Sequence, residues 1–131
     1  MIMKKDILTL ADIRLLVDSF YGKVRDNELL APIFNERIAD AWPQHLEKMY
    51  RFWETILLDT YTYSGSPFTP HATLPVEHTH FSEWMRLFEQ TVDELFSGEK
   101  AEEAKWRAGK MAEMFELKIG YYQNKGFRNM L

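Results

Sequence analysis

Apolar residues recur every three or four positions along most of the chain, the spacing that presents one face of an α-helix to a core. In the first such stretch Leu10, Ile13, Leu16, Val17, Phe20, Tyr21 and Val24 share a face. Thr9 at its start, with Asp12 three residues on, carries the pattern of a capping box, and the helix is expected to end near Arg25-Asp26-Asn27. Leu29 to Phe34 contains Pro32, which predicts a short turn or a single helical turn. A second long helix is expected from Asp40, as N-cap, to about Thr60, with Trp42, Leu46, Met49, Trp53 and Ile56 turned inward. Pro43 is tolerable there because it falls in the first turn.

A third helix runs from Val76 or Thr79 to Phe96, with Phe81, Trp84, Leu87, Phe88, Thr91, Val92 and Leu95 along one side. Ser97-Gly98 breaks it. The last helix, about Lys100 to Asn124, carries Ala101, Ala104, Ala108, Met111, Ala112, Phe115 and Ile119, a stripe of small and large residues suited to close packing. No stretch alternates with a period of two, and there are no repeats or linkers. The class predicted is all-α.

At 131 residues the chain reads as one domain over 1–131, large enough to bury a core without staples. Aromatic residues make up 15%, so that core is ring-rich. The absence of cysteine excludes disulfides, thiolate metal sites and a cysteine nucleophile together. Asp6 and Asp12 interrupt any signal-peptide core, and no run approaches membrane-span length, so a cytoplasmic protein without a membrane partner is expected. A net charge of −4 offers nucleic acid no general attraction.

Chemistry enters with the histidines. His45 lies on the inner face of the second long helix, one turn before Met49. His71 lies in the only long loop, residues 61–75, where Pro67, Pro70 and Pro75 punctuate the sequence and permit about one short helical turn. An imidazole on a helix and another on a rigid segment can face each other across a slot, and a slot lined by rings can hold a flat cofactor edge-on with iron bound axially. Each residue also has a plain reading: His71 as a loop histidine, His45 as a half-exposed helix residue, Tyr21 and Trp84 as core rings. His78 and His80 raise the question of zinc, but on a helix their rings point about 200° apart, and surface or cofactor-edge positions suit them better.

Several segments in register resemble a known family. Phe20-Tyr21 precedes Lys23-Val24-Arg25; Pro32-Ile33-Phe34-Asn35 follows, then Trp42 with His45, then Phe52-Trp53. Tyr63-x-Gly65-x-Pro67 leads to His71, and Phe81-x-x-Trp84-x-x-Leu87-Phe88 closes the series. Order and spacing are similar to those of the group III truncated haemoglobins of bacteria, over about residues 8–124. The chain also lacks the Gly-Gly pairs found at helix ends in groups I and II.

The resemblance implies a two-over-two helical sandwich, a shortened globin, with haem b between the second and third long helices. By it, His71 is the proximal iron ligand and His45 the distal histidine. Tyr21 and Trp84 are the hydrogen-bonding pair for a bound gas, with His45 beside them, and Phe34 packs on the haem. Met49, Phe52 and Trp53 join Trp84 in lining the cofactor pocket. Arg14, Lys48 and Arg51 are candidates for the propionates, and nothing in the sequence chooses among them.

The implied function is binding of oxygen, nitric oxide, carbon monoxide or peroxide, with redox chemistry such as nitric oxide dioxygenation or peroxide detoxification. The chain has neither a Gly-x-Gly-x-x-Gly nucleotide motif nor a cysteine for an iron–sulfur centre, so a separate reductase is expected. The alternatives are a non-enzymatic oxygen carrier or gas sensor and, more distantly, a haem-free helical module that binds partners.

Overall fold

Thr9 and Asp12 begin the first helix as their spacing predicts. The Thr9 hydroxyl accepts the Asp12 N–H at 3.3 Å, and the Asp12 carboxylate accepts the N–H groups of Leu8 (2.9 Å) and Thr9 (3.1 Å). In the computed structural model, which describes residues 4–130 and the side chains of all but Thr69 and 124–130, this helix is α1, Leu10–Asp26. Four α-helices follow: α2 (Ala31–Ile38), α3 (Trp42–Leu58), α4 (His78–Leu95) and α5 (Glu99–Met130), with a single 3₁₀ turn at Thr69–His71. No strand occurs among the described residues. Residues 1–3 and 131 of the expected domain lie outside them.

Three boundaries differ from the sequence expectation, one of them the end of α5, which runs to Met130 and not to about Asn124. Leu29–Phe34 is not a lone turn but leads into an eight-residue helix, because Pro32 sits in the first turn of α2, where its missing N–H is harmless. Asn27 prepares that start by accepting the N–H groups of Leu29 (3.0 Å) and Leu30 (2.9 Å) on its side-chain oxygen. Asp40 does not cap α3. The helix begins at Trp42 after Ala41, with no side-chain cap, and Pro43 in its first turn has no N–H to offer one. Between α2 and α3 the chain reverses through Ala39, whose φ of 52° is unusual for a residue with a side chain. The far end of α3 turns on Asp59, also at positive φ.

The helices assemble as two pairs. α1 packs on α3, and α4 packs on α5, while α1 also crosses α4 and so joins the pairs; α2 rests on α1. The α3 and α4 backbones are not packed on each other as those pairs are. Ile13, Leu16, Val17, Phe20 and Val24 of α1 are buried against Leu87, Phe88 and Val92 of α4 and Phe52, Trp53 and Leu57 of α3 in one core. Burying each large side chain contributes about 1.5–3 kcal/mol. On α5 the buried positions are Ala101, Ala104, Ala108 and Ala112, then Phe115 and Ile119. The alanines let α4 approach closely at one end of α5, and the larger residues fill its middle. No helix among the described residues is long and apolar enough to cross a membrane.

Candidate functional site

Where α1, α2 and α3 meet, two rings close on one histidine and a third packs behind them. Tyr21 lies 5.1 Å from the His45 ring, centroid to centroid, at an interplanar angle of 86°, and Trp42 lies 5.6 Å from it at 89°. Tyr21 also meets Trp42 at 5.8 Å and Phe34 at 6.2 Å. Helical spacing accounts for Trp42 and His45 sharing a face of α3, and Phe34 comes from the first turn of α2. His45 Nε2 is buried and has no hydrogen-bond partner. Leaving such an atom unpaired costs roughly 1–3 kcal/mol, so it marks a place where the fold is not satisfied by itself.

Electrostatics keep these groups neutral. Burial lowers the His45 pKa to about 4, and the proximity of the basic groups His71 and Lys48 pushes the same way. Burial also raises the Tyr21 phenol well above its ordinary value, so at neutral pH it is a proton donor and not a phenolate.

A second stack adjoins this cluster. Phe20 touches Tyr21 edge-on at 5.0 Å and Trp84 edge-on at 5.3 Å. Trp84 stacks on Phe88 at 5.5 Å and 7°, and Phe88 stacks on Trp53 at 5.1 Å. Trp84 is thus joined to Tyr21 through Phe20, whereas Tyr21 and His45 meet directly. Phe52 and Trp53 are almost fully buried, and Phe52 meets Tyr63 at the start of the 61–75 segment. Met49 is partly buried against the core.

The 61–75 segment is tied down on three sides. At its start the Thr55 hydroxyl accepts the N–H groups of Thr62 and Tyr63, both at 3.1 Å, and the Thr62 hydroxyl donates to Glu54 at 2.8 Å. At its centre His71 closes a turn through its N–H on the Phe68 carbonyl at 2.7 Å. From α5 the Phe115 ring lies 4.8 Å from the His71 ring. From α2 the Arg37 guanidinium donates to the Pro70 carbonyl at 3.0 Å and to the Thr73 hydroxyl at 3.1 Å.

His71 Nδ1 lies 2.6 Å from the Pro67 carbonyl. A carbonyl only accepts, so Nδ1 carries the proton and Nε2 keeps its lone pair. Burial lowers the His71 pKa; the Pro67 bond opposes that and the Arg37 charge adds to it. A half-buried, neutral imidazole whose other nitrogen is anchored to a backbone carbonyl is the form in which histidine ligates a metal. The residues present therefore fit an axially bound iron cofactor: an anchored imidazole on one segment, a buried unpaired imidazole nitrogen on another, and rings between helices whose backbones stay apart.

The other histidines are engaged elsewhere. His78 Nδ1 meets the Glu116 carboxylate at 2.9 Å, and His80 Nδ1 accepts the Glu77 N–H at 3.0 Å, helping to start α4. Of the propionate candidates, Arg51 pairs with Glu47 at 3.0 Å and Arg14 lies over the Tyr50 ring. Sequence reasoning did not single out Arg37 as a holder of the 61–75 segment, nor Phe115 as the ring behind His71. It also passed over Arg25, whose guanidinium lies 4.5 Å from the Trp42 ring and covers the cluster from outside. Phe115 was visible only as one member of the α5 stripe and Arg25 only as one member of the Lys23-Val24-Arg25 segment, and nothing local marked Arg37.

Comparison with known proteins converges on one group. A profile of the bacterial-like globins matches residues 6–117. The chain is 33% identical over 124 residues to the group 3 truncated hemoglobin ctb of Campylobacter jejuni, covering 92% of this chain and 98% of that one. It is also similar to the crystal structure of the group III truncated hemoglobin from Campylobacter jejuni, with a TM-score of 0.82 and 31% identity. That match covers 89% of this chain and 95% of the other.

Proposed function

Since the chain belongs to the bacterial-like globin family, as a group III truncated haemoglobin, we propose that it binds haem b through His71 and holds oxygen and related diatomic ligands beside Tyr21, His45 and Trp84. Haem-based ligand binding goes with the family. When bound, the haem supplies an iron that takes a small ligand and exchanges electrons. The observation that carries the axial assignment is the bond from His71 Nδ1 to the Pro67 carbonyl, which fixes the tautomer and leaves Nε2 free.

The chain's own residues then divide the work. Phe34, Met49, Phe52, Trp53 and Trp84 supply apolar wall that excludes water and grips a flat macrocycle. Tyr21 stays protonated and so presents an O–H to a polar ligand. His45, neutral and with Nε2 unspent, gives or takes one hydrogen bond at the same place. The indole of Trp84 has an N–H donor and lies one ring away from Tyr21. Two or three donors around one small ligand favour charged or strongly dipolar states over apolar ones.

Donors of that kind suit redox chemistry on oxygen, nitric oxide or peroxide better than simple carriage. This globin unit has no cysteine and no glycine-rich nucleotide motif, so we assign the supply of electrons to a separate reductase. Titration of the haem-free protein with hemin tests the cofactor reading, with one equivalent and a sharp Soret band expected; no uptake would refute it. Mixing the loaded protein, first reduced to the ferrous state and oxygenated, with NADH, oxygen and nitric oxide tests the redox reading. One turnover is expected alone and continued turnover with an added flavin reductase, whereas sustained turnover without one would overturn the need for a partner.

A further inference from the structure

The guanidinium of Arg37 bridges both flanks of His71, bonding the Pro70 carbonyl before it and the Thr73 hydroxyl after it. From this juxtaposition we propose that Arg37 is a positioning residue for His71, holding the histidine-bearing segment to α2 at a set distance from the Tyr21–His45 cluster. The inference rests on the reading of His71 as the axial ligand.

Three observations carry it. Arg37 lies one turn beyond Phe34 on the same short helix, and Phe34 touches Tyr21. An eight-residue helix thus contacts the Tyr21 cluster through a ring and the His71 segment through a charged fork. Second, the bonds fall on two points either side of the imidazole, the arrangement that resists rotation of the segment as well as its departure. A guanidinium fork does this better than an ammonium because its donors are planar and pre-set. Third, the segment's remaining restraints do not duplicate the fork. The Thr55 and Glu54 bonds hold its start, eight or more residues before His71. From α5, Phe115, Lys118 and Tyr122 pack on the Phe68 ring and Phe115 on the His71 ring, contacts that support side chains without a hydrogen bond to the backbone. Between Phe68 and Leu74 the backbone bonds among the described residues are the His71 N–H to Phe68 and the Leu74 N–H to His71, both within the segment itself.

Two measurements on the purified full-length chain, as isolated with its haem, test the assignment. Amide hydrogen exchange at His71 and Leu74 reports the segment directly and does not depend on the cofactor's identity. Arg37→Gln should speed exchange there by about tenfold, the equivalent of roughly one charge-assisted hydrogen bond. The second readout is the iron–imidazole vibration of the ferrous protein, which should shift or split in Arg37→Gln, together with hemin transfer to an acceptor globin about tenfold faster. Thr73→Val, losing one of the two bonds, should give a smaller change of the same kind. Arg37→Lys should restore part of the effect, and Arg107→Gln on α5 should change neither readout. Unchanged exchange and an unchanged vibration in Arg37→Gln would overturn the proposal. If the wild-type chain proved to take up no hemin while exchange still rose in Arg37→Gln, the axial role of His71 would fall and the hold of Arg37 on the segment would stand.

Discussion

The joint where the N-terminal segment meets the start of α5 and the ring cluster around His45 are built on opposite principles. At the joint, Asp6 accepts the N–H groups of Lys100 and Ala101 on its two oxygens, each at 2.9 Å, and that of Ile7 at 2.8 Å. The Ser97 N–H adds a bond to the Lys5 carbonyl at 3.0 Å. A residue near one end of the chain thus caps a helix that begins more than ninety positions later, and the donors it meets there are used. At the ring cluster the reverse holds. His45 Nε2 is buried with nothing to bond, and the Ala39 turn beside it sits at an unfavoured φ. The saturated joint serves the fold, and the unsaturated cluster is the place we assign to a ligand.

The largest expected effect breaks the site and spares the joint. His71→Ala should weaken hemin binding by more than about a hundredfold, because an axial histidine supplies the bond that fixes the macrocycle. Helix content by circular dichroism should stay native. His78→Ala, which among the described residues loses hydrogen bonds to Glu116 and Ser82, should bind hemin normally. The reverse pattern would remove His71 from the axial role.

Damage to the joint should have the opposite signature. Gly98 sits at φ 136°, and a Cβ there would lie 2.6 Å from Asp6 Cγ, which its bonds to Lys100 and Ala101 hold in place. Gly98→Ala should therefore cost about 2–4 kcal/mol, combining backbone strain with a damaged cap, as read by urea unfolding. Hemin affinity of the folded fraction should be unaltered. A matching loss of affinity would show that the two regions are coupled.

Within the site, Tyr21→Phe removes one neutral donor without emptying the cavity. Oxygen release from the loaded protein should accelerate by roughly ten- to a hundredfold, the worth of one strong hydrogen bond. Carbon monoxide, a weaker acceptor, should respond far less in the same stopped-flow measurement. Equal acceleration for both gases would point to steric control by Met49 or His45.

The smallest effect belongs to acid. Burial pushes the Asp6 carboxyl up, but the N–H groups of Lys100, Ile7 and Ala101 and the Lys100 charge outweigh it and hold it below the ordinary carboxylate value. Asp12 is alike: burial raises it, and the Leu8 N–H, Lys5 and Thr9 outweigh that and hold it below the ordinary value. Both bind protons more readily unfolded than folded. Their stabilising contribution is thus complete above about pH 4 and is lost as pH falls through their native values. Asp6→Asn keeps one capping oxygen but sets its amide NH2 against the N–H that the other oxygen accepted. Stability at pH 7 should therefore fall by about 1–2 kcal/mol, while its decline below pH 4 becomes shallower. An unchanged acid profile would remove Asp6 from the pH response.

What the sequence by itself determined here is whatever depends on spacing along one helix. The 3.6-residue repeat placed Leu16, Phe20, Trp53 and Phe88 in the core, and Thr9 with Asp12 marked the start of α1. The family motifs named His45, His71, Tyr21 and Trp84 in advance, and the fold brings Tyr21 and His45 into direct contact. Helix ends built on proline were harder, because Pro32 and Pro43 look alike as breakers and as first-turn residues until the flanking chain is placed. Only the tertiary structure decided the partners that lie far apart in sequence: Arg37 on the His71 segment, Phe115 behind His71, and Asp6 on α5. Those contacts carry no local period or motif, since a hydrogen bond between distant residues comes into being only when packing of the intervening helices brings its donor and acceptor to one point.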